Sequence, residues 1–215
     1  MSGRATRFDE LLGDLLSRVD VARQGSRLEA GEFHPLGHKA MRTRQRVLEA
    51  GYACFVREGY AGTSVPDIHE AAGVSLGTFY TYFRSKSAVV VTLVAEQIAA
   101  FVDVLADAGV ADGGLSAYVH HYARTADFQR VWEEATHLEP EVAEFRWAAQ
   151  QAFDAWLARG IARPGLDAAS TARLLNAMID RYCYMTFVVD GHRDPATVDR
   201  VLALLSEAIH RVVAP

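Results

Sequence analysis

Several groups of residues in this chain have the types and spacings that chemistry requires. Gly73-Val74-Ser75-Leu76-Gly77 matches Gly-x-Ser-x-Gly, the sharp turn that exposes a nucleophilic serine in α/β-hydrolases, and eight histidines are available to complete a triad. That chemistry needs a buried strand ahead of the serine. The preceding Asp67-Ile68-His69-Glu70-Ala71-Ala72 is helical in composition and capped as a helix, which disfavours a hydrolase. Glu134 with His137, and Glu207 with His210, have the Glu-x-x-His spacing by which helical bundles hold two irons. Two further helices would each have to add an inward carboxylate, and Glu96 is the only candidate on the long connecting helix. His120 and His121 are adjacent, so on a helix they point about 100° apart. Cys54 and Cys183 stand far apart with no ligand spacing around either, and read as buried small apolar residues. No catalytic residue, metal site or cofactor is expected.

A different chemistry is concentrated in Leu76, Thr78, Phe79, Tyr80 and Tyr82, followed at once by Arg84 and Lys86. Such side chains can touch base edges and thymine methyls, while phenols and ammoniums grip phosphate oxygens. The chain as a whole carries a formal charge of −5, which looks wrong for DNA. The charge is unevenly spread, however: residues 38–86 hold seven basic side chains (Lys39, Arg42, Arg44, Arg46, Arg57, Arg84, Lys86) against four acidic ones (Glu49, Glu58, Asp67, Glu70).

The elements that must position these residues are helices. Ser64-Val65-Pro66-Asp67 combines a serine cap, a proline in the first turn and a carboxylate three residues on, starting a short helix that ends at Gly73. Ser75 caps the next, to about Phe83, and Ser85 caps a long one from Lys86 to Asp107. The glycine turn between the first two makes a helix-turn-helix. An earlier helix from Arg42 to Glu58 turns Val47, Leu48, Gly51 and Phe55 inward. Helical periods continue through 115–126, 128–137, 140–159, 168–189 and 195–213, and no segment alternates with period two. The fold class is all-α, with nine or ten helices. An amphipathic helix over 6–23 and a glycine-containing linker over 25–37 precede these, giving an arm (1–37), a helix-turn-helix domain (38–86) and a C-terminal domain (87–215).

Thr63-Ser64-Val65-Pro66-Asp67-Ile68, Ala72-Gly73-Val74-Ser75, Gly77, Phe79-Tyr80, Tyr82-Phe83 and Ser85-Lys86 together resemble the DNA-binding signature of the TetR family of bacterial transcriptional repressors, and Arg44, Leu48, Ala50, Phe55 and Gly59 fit its first helix. His69 stands where that family usually has a small residue. The resemblance implies that Ser75 to Tyr82 form the recognition helix, with Leu76, Thr78 and Phe79 nearest the bases. Tyr80, Tyr82, Lys86, Thr63 and Ser64 would hold phosphates, and Arg42 and Arg44 would reach the backbone or a minor groove. Phe83 reads as core.

It also implies a C-terminal domain that binds a small-molecule effector and dimerises. Tyr118, Tyr122, Trp132, Phe153 and Trp156 can line an apolar cavity, with His121, Asn176 and Asp180 as polar anchors. The last two long helices would form a four-helix bundle with those of a second copy, and amphipathicity suggests Arg173, Tyr184, Val188, Val198, Leu202, Leu205 and Ile209 as contacts. A single helix-turn-helix buries too little surface to select a genomic site, so a homodimer reading two half-sites of a palindromic operator is the physical expectation. A ligand would favour a conformation whose recognition helices no longer match successive grooves, with the helix from Lys86 to Asp107 as lever.

Half of the positions are hydrophobic and 23% are charged, which excludes disorder. The apolar stretch from Ser87 is interrupted by Glu96, too early for a spanning helix. Asp9, Glu10, Asp14 and Asp20 break any secretory h-region, so a cytoplasmic protein without membrane partners is expected. The arm is expected to pack on the protein rather than carry Arg4 and Arg7 to DNA. The alternatives are a helical ligand-binding protein with no DNA target and, more remotely, the di-iron bundle.

Overall fold

A computed structural model of the chain describes residues 10–20, 37–107, 113–161 and 163–213. Their regular structure is helical throughout, with no strand among them. In chain order the helices are α1 (residues 10–20), α2 (His38–Gly62), α3 (Val65–Ala71), α4 (Leu76–Tyr82), α5 (Lys86–Asp107), α6 (Leu115–Leu138), α7 (Pro140–Arg159), α8 (Ala168–Cys183) and α9 (Pro195–Val213). A π-helical turn, Tyr184–Val189, continues α8. Within α1, Leu15 and Val19 are buried, as the apolar stripe requires. The linker residues 25–36, and Arg4, Arg7 and Phe8 of the arm, lie outside the described residues.

Two boundaries differ from expectation. The segments 115–126 and 128–137 form the single helix α6, because Asp127 between them is neither glycine nor proline and sits exposed on the helix surface. Helix α2 runs four residues past Glu58, through a kink at Gly59, whose φ of 76° is left-handed and therefore suits glycine.

The chain divides into two compact units. One comprises Leu16–Ala99 and Arg130–Arg146, the other Met1–Leu15, Ala100–Gln129 and Trp147–Pro215. The unit containing the helix-turn-helix is thus larger than 38–86: it takes in the first part of α5 and the α6–α7 turn. Its core includes Val47, Leu48 and Phe55 of α2, Ile68 of α3, Phe79 of α4, and Val89 and Val90 of α5, all fully buried. Gly51 is where α2 meets α5: a Cβ there would lie 2.8 Å from Val89 Cγ1. Gly51→Ala should therefore overpack the core and cost about 1–3 kcal/mol, read as a lower urea midpoint; an unchanged midpoint would show that Val89 can move aside.

In the other unit, α8 buries Ala168, Ala172, Leu175, Ile179 and Cys183, and α9 buries Val198, Val201, Leu205 and Ile209, each at helical spacing. They share one cluster with Val119, Tyr122 and Ala126 of α6 and Trp156 and Leu157 of α7. Burial pushes the Cys183 thiol up to about 12, with Asp180 adding to the effect, so it is an inert packing residue.

Candidate nucleic-acid interface

The turn between α3 and α4 is fixed from every side. The Ser64 backbone N–H donates to Asp67 Oδ2 (2.8 Å) while the Ser64 hydroxyl accepts from the Asp67 N–H, completing a capping box. The Ser64 hydroxyl and amide hold the Asp67 carboxyl below the usual carboxylate range. Gly73 turns the chain with φ 62°, and Arg46 Nη2 donates to the carbonyls of Ala72 (2.9 Å) and Gly73 (3.1 Å). His69, the residue that departs from the TetR pattern, has a role in this bracing: its Nδ1 lies 3.1 Å from the Val74 carbonyl, and since a carbonyl only accepts, Nδ1 carries the proton. Ser75 then caps α4, accepting from the Thr78 N–H at 3.1 Å.

Helix α4 therefore has a determined orientation and two distinct faces. Leu76, Gly77, Tyr80 and Thr81 are exposed, Tyr80 by 54%. Phe79 and Phe83 are buried, their rings 6.0 Å apart, and Thr78 and Tyr82 are half-buried between the two faces. The exposed positions follow the i, i+3, i+4 rule from Gly77. Thr81 escaped the sequence reading and Gly77 entered it only as part of the Gly-x-Ser-x-Gly match and the family signature, although the i+4 spacing between the two could have found Thr81.

Four expected DNA contacts need correction. Phe79 cannot lie against bases, because its side chain is 0% exposed and fills the core beneath α4. Arg44 is buried too: its guanidinium sits 5.2 Å from the Phe83 ring centroid, with Nη1 3.9 Å from Glu96 Oε1. Thr63 is buried and its hydroxyl donates to the Gly59 carbonyl at 2.8 Å. Lys86 Nζ donates to the carbonyls of Tyr60 and Thr63, both at 2.8 Å, and lies 4.2 Å over the Tyr60 ring. Burial pushes the Lys86 pKa down, with Glu139 and Glu134 opposing. It caps the carbonyls at the end of α2 rather than reaching for phosphate. Arg42 and Ser64 remain exposed.

The 130–141 segment grips the same end of α2. Glu134 accepts from the N–H groups of Tyr60 (2.7 Å) and Ala61 (3.1 Å), Arg130 donates to the Val56 carbonyl (3.2 Å), and the Tyr60 hydroxyl donates to Glu139 (2.8 Å). Burial and the Glu139 carboxylate push the Tyr60 phenol well above its ordinary pKa. Arg84, after α4, pairs with Glu141.

Residues that the rival chemistries would use have other partners here. Ser75 follows a helix, and its hydroxyl is engaged by Thr78. Glu134 is occupied by backbone amides, and Glu207 pairs with Arg211 at 2.6 Å. Among the described residues no three His, Cys, Asp or Glu side chains gather as a metal site, and no helix is long and apolar enough to cross a membrane.

Residues 47–93 match the family model described as bacterial regulatory proteins, tetR family. The regulator EthR of Mycobacterium tuberculosis (strain H37Rv) is 32% identical over 164 residues, covering 67% of this chain and 74% of EthR. The chain belongs to the TetR family. The repressor AcnR of Corynebacterium glutamicum is 32% identical over 76 residues, a match spanning 35% of this chain and 40% of AcnR. Among solved structures, a transcriptional regulator from Rhodococcus sp. Rha1 superimposes with a TM-score of 0.66 at 19% identity, over 80% of this chain and 98% of that one. The all-α TetR architecture, helix-turn-helix first and helical domain after, is thereby shared.

In the C-terminal part of this TetR-family chain, the expected pocket residues are only partly gathered. Tyr118 stacks on Phe153 (4.9 Å), Phe153 on Trp156 (5.3 Å), and Tyr122 lies 5.7 Å from Tyr118. The Tyr118 hydroxyl donates to Asp180 Oδ1 at 3.4 Å, and Asn176 Nδ2 donates to Asp154 Oδ1 at 2.6 Å. His121 is half-buried, and burial, then Arg124, pushes its pKa down. Trp132 falls in the other unit, under the Arg146 guanidinium at 5.2 Å, with its buried indole N–H lacking an acceptor among the described residues.

Three of the seven expected dimer contacts also need correction. Val198, Leu205 and Ile209 belong to the chain's own core, and Tyr184, Val188 and Leu202 pack against it half-buried. Arg173 is exposed, with Nε 3.4 Å from Asp154. The apolar side chains left outside are Leu174 (68% exposed), Tyr182, Met185 and Val189 along α8 and its π turn, and Leu204 of α9.

Proposed function

We propose that this chain is a non-enzymatic transcriptional regulator that binds a palindromic operator in the cytoplasm as a homodimer and is released from it by a small, largely apolar ligand. The observation that carries the reading is the outward stripe of α4, Leu76, Tyr80 and Thr81, held by a fully braced turn. A two-turn helix that turns an aromatic, a leucine and a threonine to solvent leaves most of their surface free for a partner. In the major groove they meet base edges and thymine methyls. Exposed Ser64 and Arg42 and half-buried Tyr82 serve phosphates in this reading, and the hydroxyls of Ser75 and Thr78 hold the first turn.

Exposed Leu174, Tyr182, Met185 and Val189 follow one another at roughly one- and two-turn intervals, the pattern of a helix that packs on a partner. With Leu204 they support pairing of α8 and α9 with those of a second copy. The Tyr118–Phe153–Trp156 stack, with Asp180 accepting from Tyr118, supports an apolar ligand held by few polar groups, with Asn176 and His121 as the further candidates. AcnR and DhaR bear the name of repressors, which supports repression as the direction of control.

The test is selection of duplexes from a randomised library by the full-length protein, followed by affinity measurement over a salt series. The expected result is an enriched palindrome, bound as a dimer in sedimentation, with affinity falling steeply as salt rises. Recovery of no preferred duplex, or a species that stays monomeric when bound, would overturn the reading.

A further inference from the structure

The turn between α3 and α4 has its backbone groups satisfied in two different ways. Its amides return to α3: the Ala72 N–H donates to the Ile68 carbonyl (2.9 Å), that of Gly73 to Glu70 (3.0 Å) and that of Val74 to His69 (3.0 Å). Those bonds run from main chain to main chain, so they place no demand on side-chain identity. The carbonyls of the same residues are held by side chains instead. Arg46 takes those of Ala72 and Gly73, and His69 Nδ1 donates to that of Val74 at 3.1 Å. His69 and Val74 therefore exchange hydrogen bonds in both directions, one through the backbone and one through the imidazole.

The Val74 carbonyl differs from the other two in where it lies. It shares a rigid peptide plane with the N–H of Ser75, the residue that caps α4. Turning that plane turns the start of α4. Packing does not prevent the motion: within α4 only Phe79 is buried, and Phe83 is buried just beyond its far end. The two rings secure the middle and the C-terminal end of the helix, and its first turn is left to the bonds of the turn before it.

We propose that His69 is a positioning residue for DNA recognition: by holding the Val74 carbonyl through Nδ1, it fixes the angle at which α4 leaves the turn, and with it the selectivity of the exposed stripe. This rests on the DNA-binding reading above. His69 and Val74 are both half-buried, so water can replace the lost bond at small cost to the fold. The cost falls on binding, because a helix that visits several angles binds only through its competent fraction. A palindrome is read by two copies, so a competent fraction reduced about three-fold in each subunit weakens the complex about ten-fold. Phosphate contacts carry no sequence information, and binding that rests on them alone is spared.

The experiment compares His69→Phe, which keeps a planar ring without a donor, with His69→Asn, which keeps an N–H donor close to the place of Nδ1. The three residue types have similar helix propensities, so α3 itself is little disturbed. Full-length proteins are measured on the duplex that the natural protein enriches from a randomised library and on a scrambled duplex of equal length. His69→Phe should bind the enriched duplex about ten-fold more weakly and the scrambled one within about two-fold, with its melting temperature lowered by about 4 °C at most. His69→Asn should stay within about three-fold of the natural protein on both. Full affinity in His69→Phe, or a loss in His69→Asn as large as in His69→Phe, would overturn the proposal. So would an equal loss on both duplexes with a shallower salt dependence, which would make His69 a phosphate ligand. A larger fall in melting temperature would overturn it by placing the reason for the histidine inside the fold. Failure of the natural protein to enrich any duplex would instead sink the DNA-binding reading itself.

Discussion

Phe79→Ala is expected to bring the helix-turn-helix unit close to unfolding at room temperature, whereas Tyr80→Ala, one residue along, should leave the melting curve nearly unchanged and remove most sequence-selective DNA binding. The two rings touch edge to face, 5.4 Å apart at 88°, yet one is 0% and the other 54% exposed. Truncating a buried phenylalanine costs about 3–5 kcal/mol, the lost transfer energy plus the cavity left behind. A domain of this size has only about 5–15 kcal/mol in total. Tyr80 buries little against the protein, and its edge contact with Phe79 is worth roughly 0.5–1.5 kcal/mol. Truncation should cost about 1.5 kcal/mol of stability at most. At a groove it would lose about 1–3 kcal/mol of binding, roughly ten- to one-hundred-fold in affinity. Urea denaturation and fluorescence anisotropy on the enriched duplex separate the two effects. If Tyr80→Ala bound normally while folding normally, α4 would not be the reading element.

That this pair could not be sorted from the sequence follows from the length of α4. Two turns give no periodicity to spare, and Leu76, Phe79, Tyr80 and Tyr82 all suit either a groove or a core. Only the packing of Phe79 against Phe83 decides. Features set by residues three or four apart were legible: the Ser64–Asp67 capping box, the Ser75 cap and the Gly73 turn all have the form that their spacing predicts. Features set by distant partners were not. Thr63 and Lys86 look like phosphate ligands until the carbonyls at the end of α2 are seen to occupy them. Arg44 looks like a surface arginine until Phe83 and Glu96 enclose it. Amphipathicity in α9 identified a real apolar stripe, but Val198, Leu205 and Ile209 are its most regular part and so belong to the chain's own core. In the proposed dimer the partner face would be carried by what is left over, such as Leu174 and Leu204, which a pattern search ranks lower. Trp132 and Tyr118 both suit a ligand pocket by type, and only the division of α6 between two units separates them.

Glu134→Ala should lower stability by about 2–3 kcal/mol, a large effect for a residue that is only half-buried and lies far along the chain from the element it supports. The physical reason is the kink at Gly59. There the backbone turns left-handed at φ 76°, and the amides of Tyr60 and Ala61 lose their places in the α2 ladder. The Glu134 carboxylate takes both, at 2.7 and 3.1 Å. A hydrogen bond to a charged group contributes about 1.5–3 kcal/mol, with the lower end appropriate for Ala61, whose N–H faces solvent. Lys86 closes the other side by donating to the carbonyls of Tyr60 and Thr63, so donors and acceptors of one turn are satisfied by two side chains of opposite charge. Glu134→Gln keeps an acceptor oxygen and should lose roughly half as much, since its bonds are no longer charge-assisted. Hydrogen exchange gives the local readout. The Tyr60 amide should exchange faster in Glu134→Ala by more than the global loss of stability explains, while amides around Val47 and Leu48 change only in step with it. Were the Tyr60 amide to remain protected, the carboxylate would not be the group that holds the kink, and the joining of residues 130–146 to the helix-turn-helix unit would have to rest on Arg130, Glu139 and Glu141.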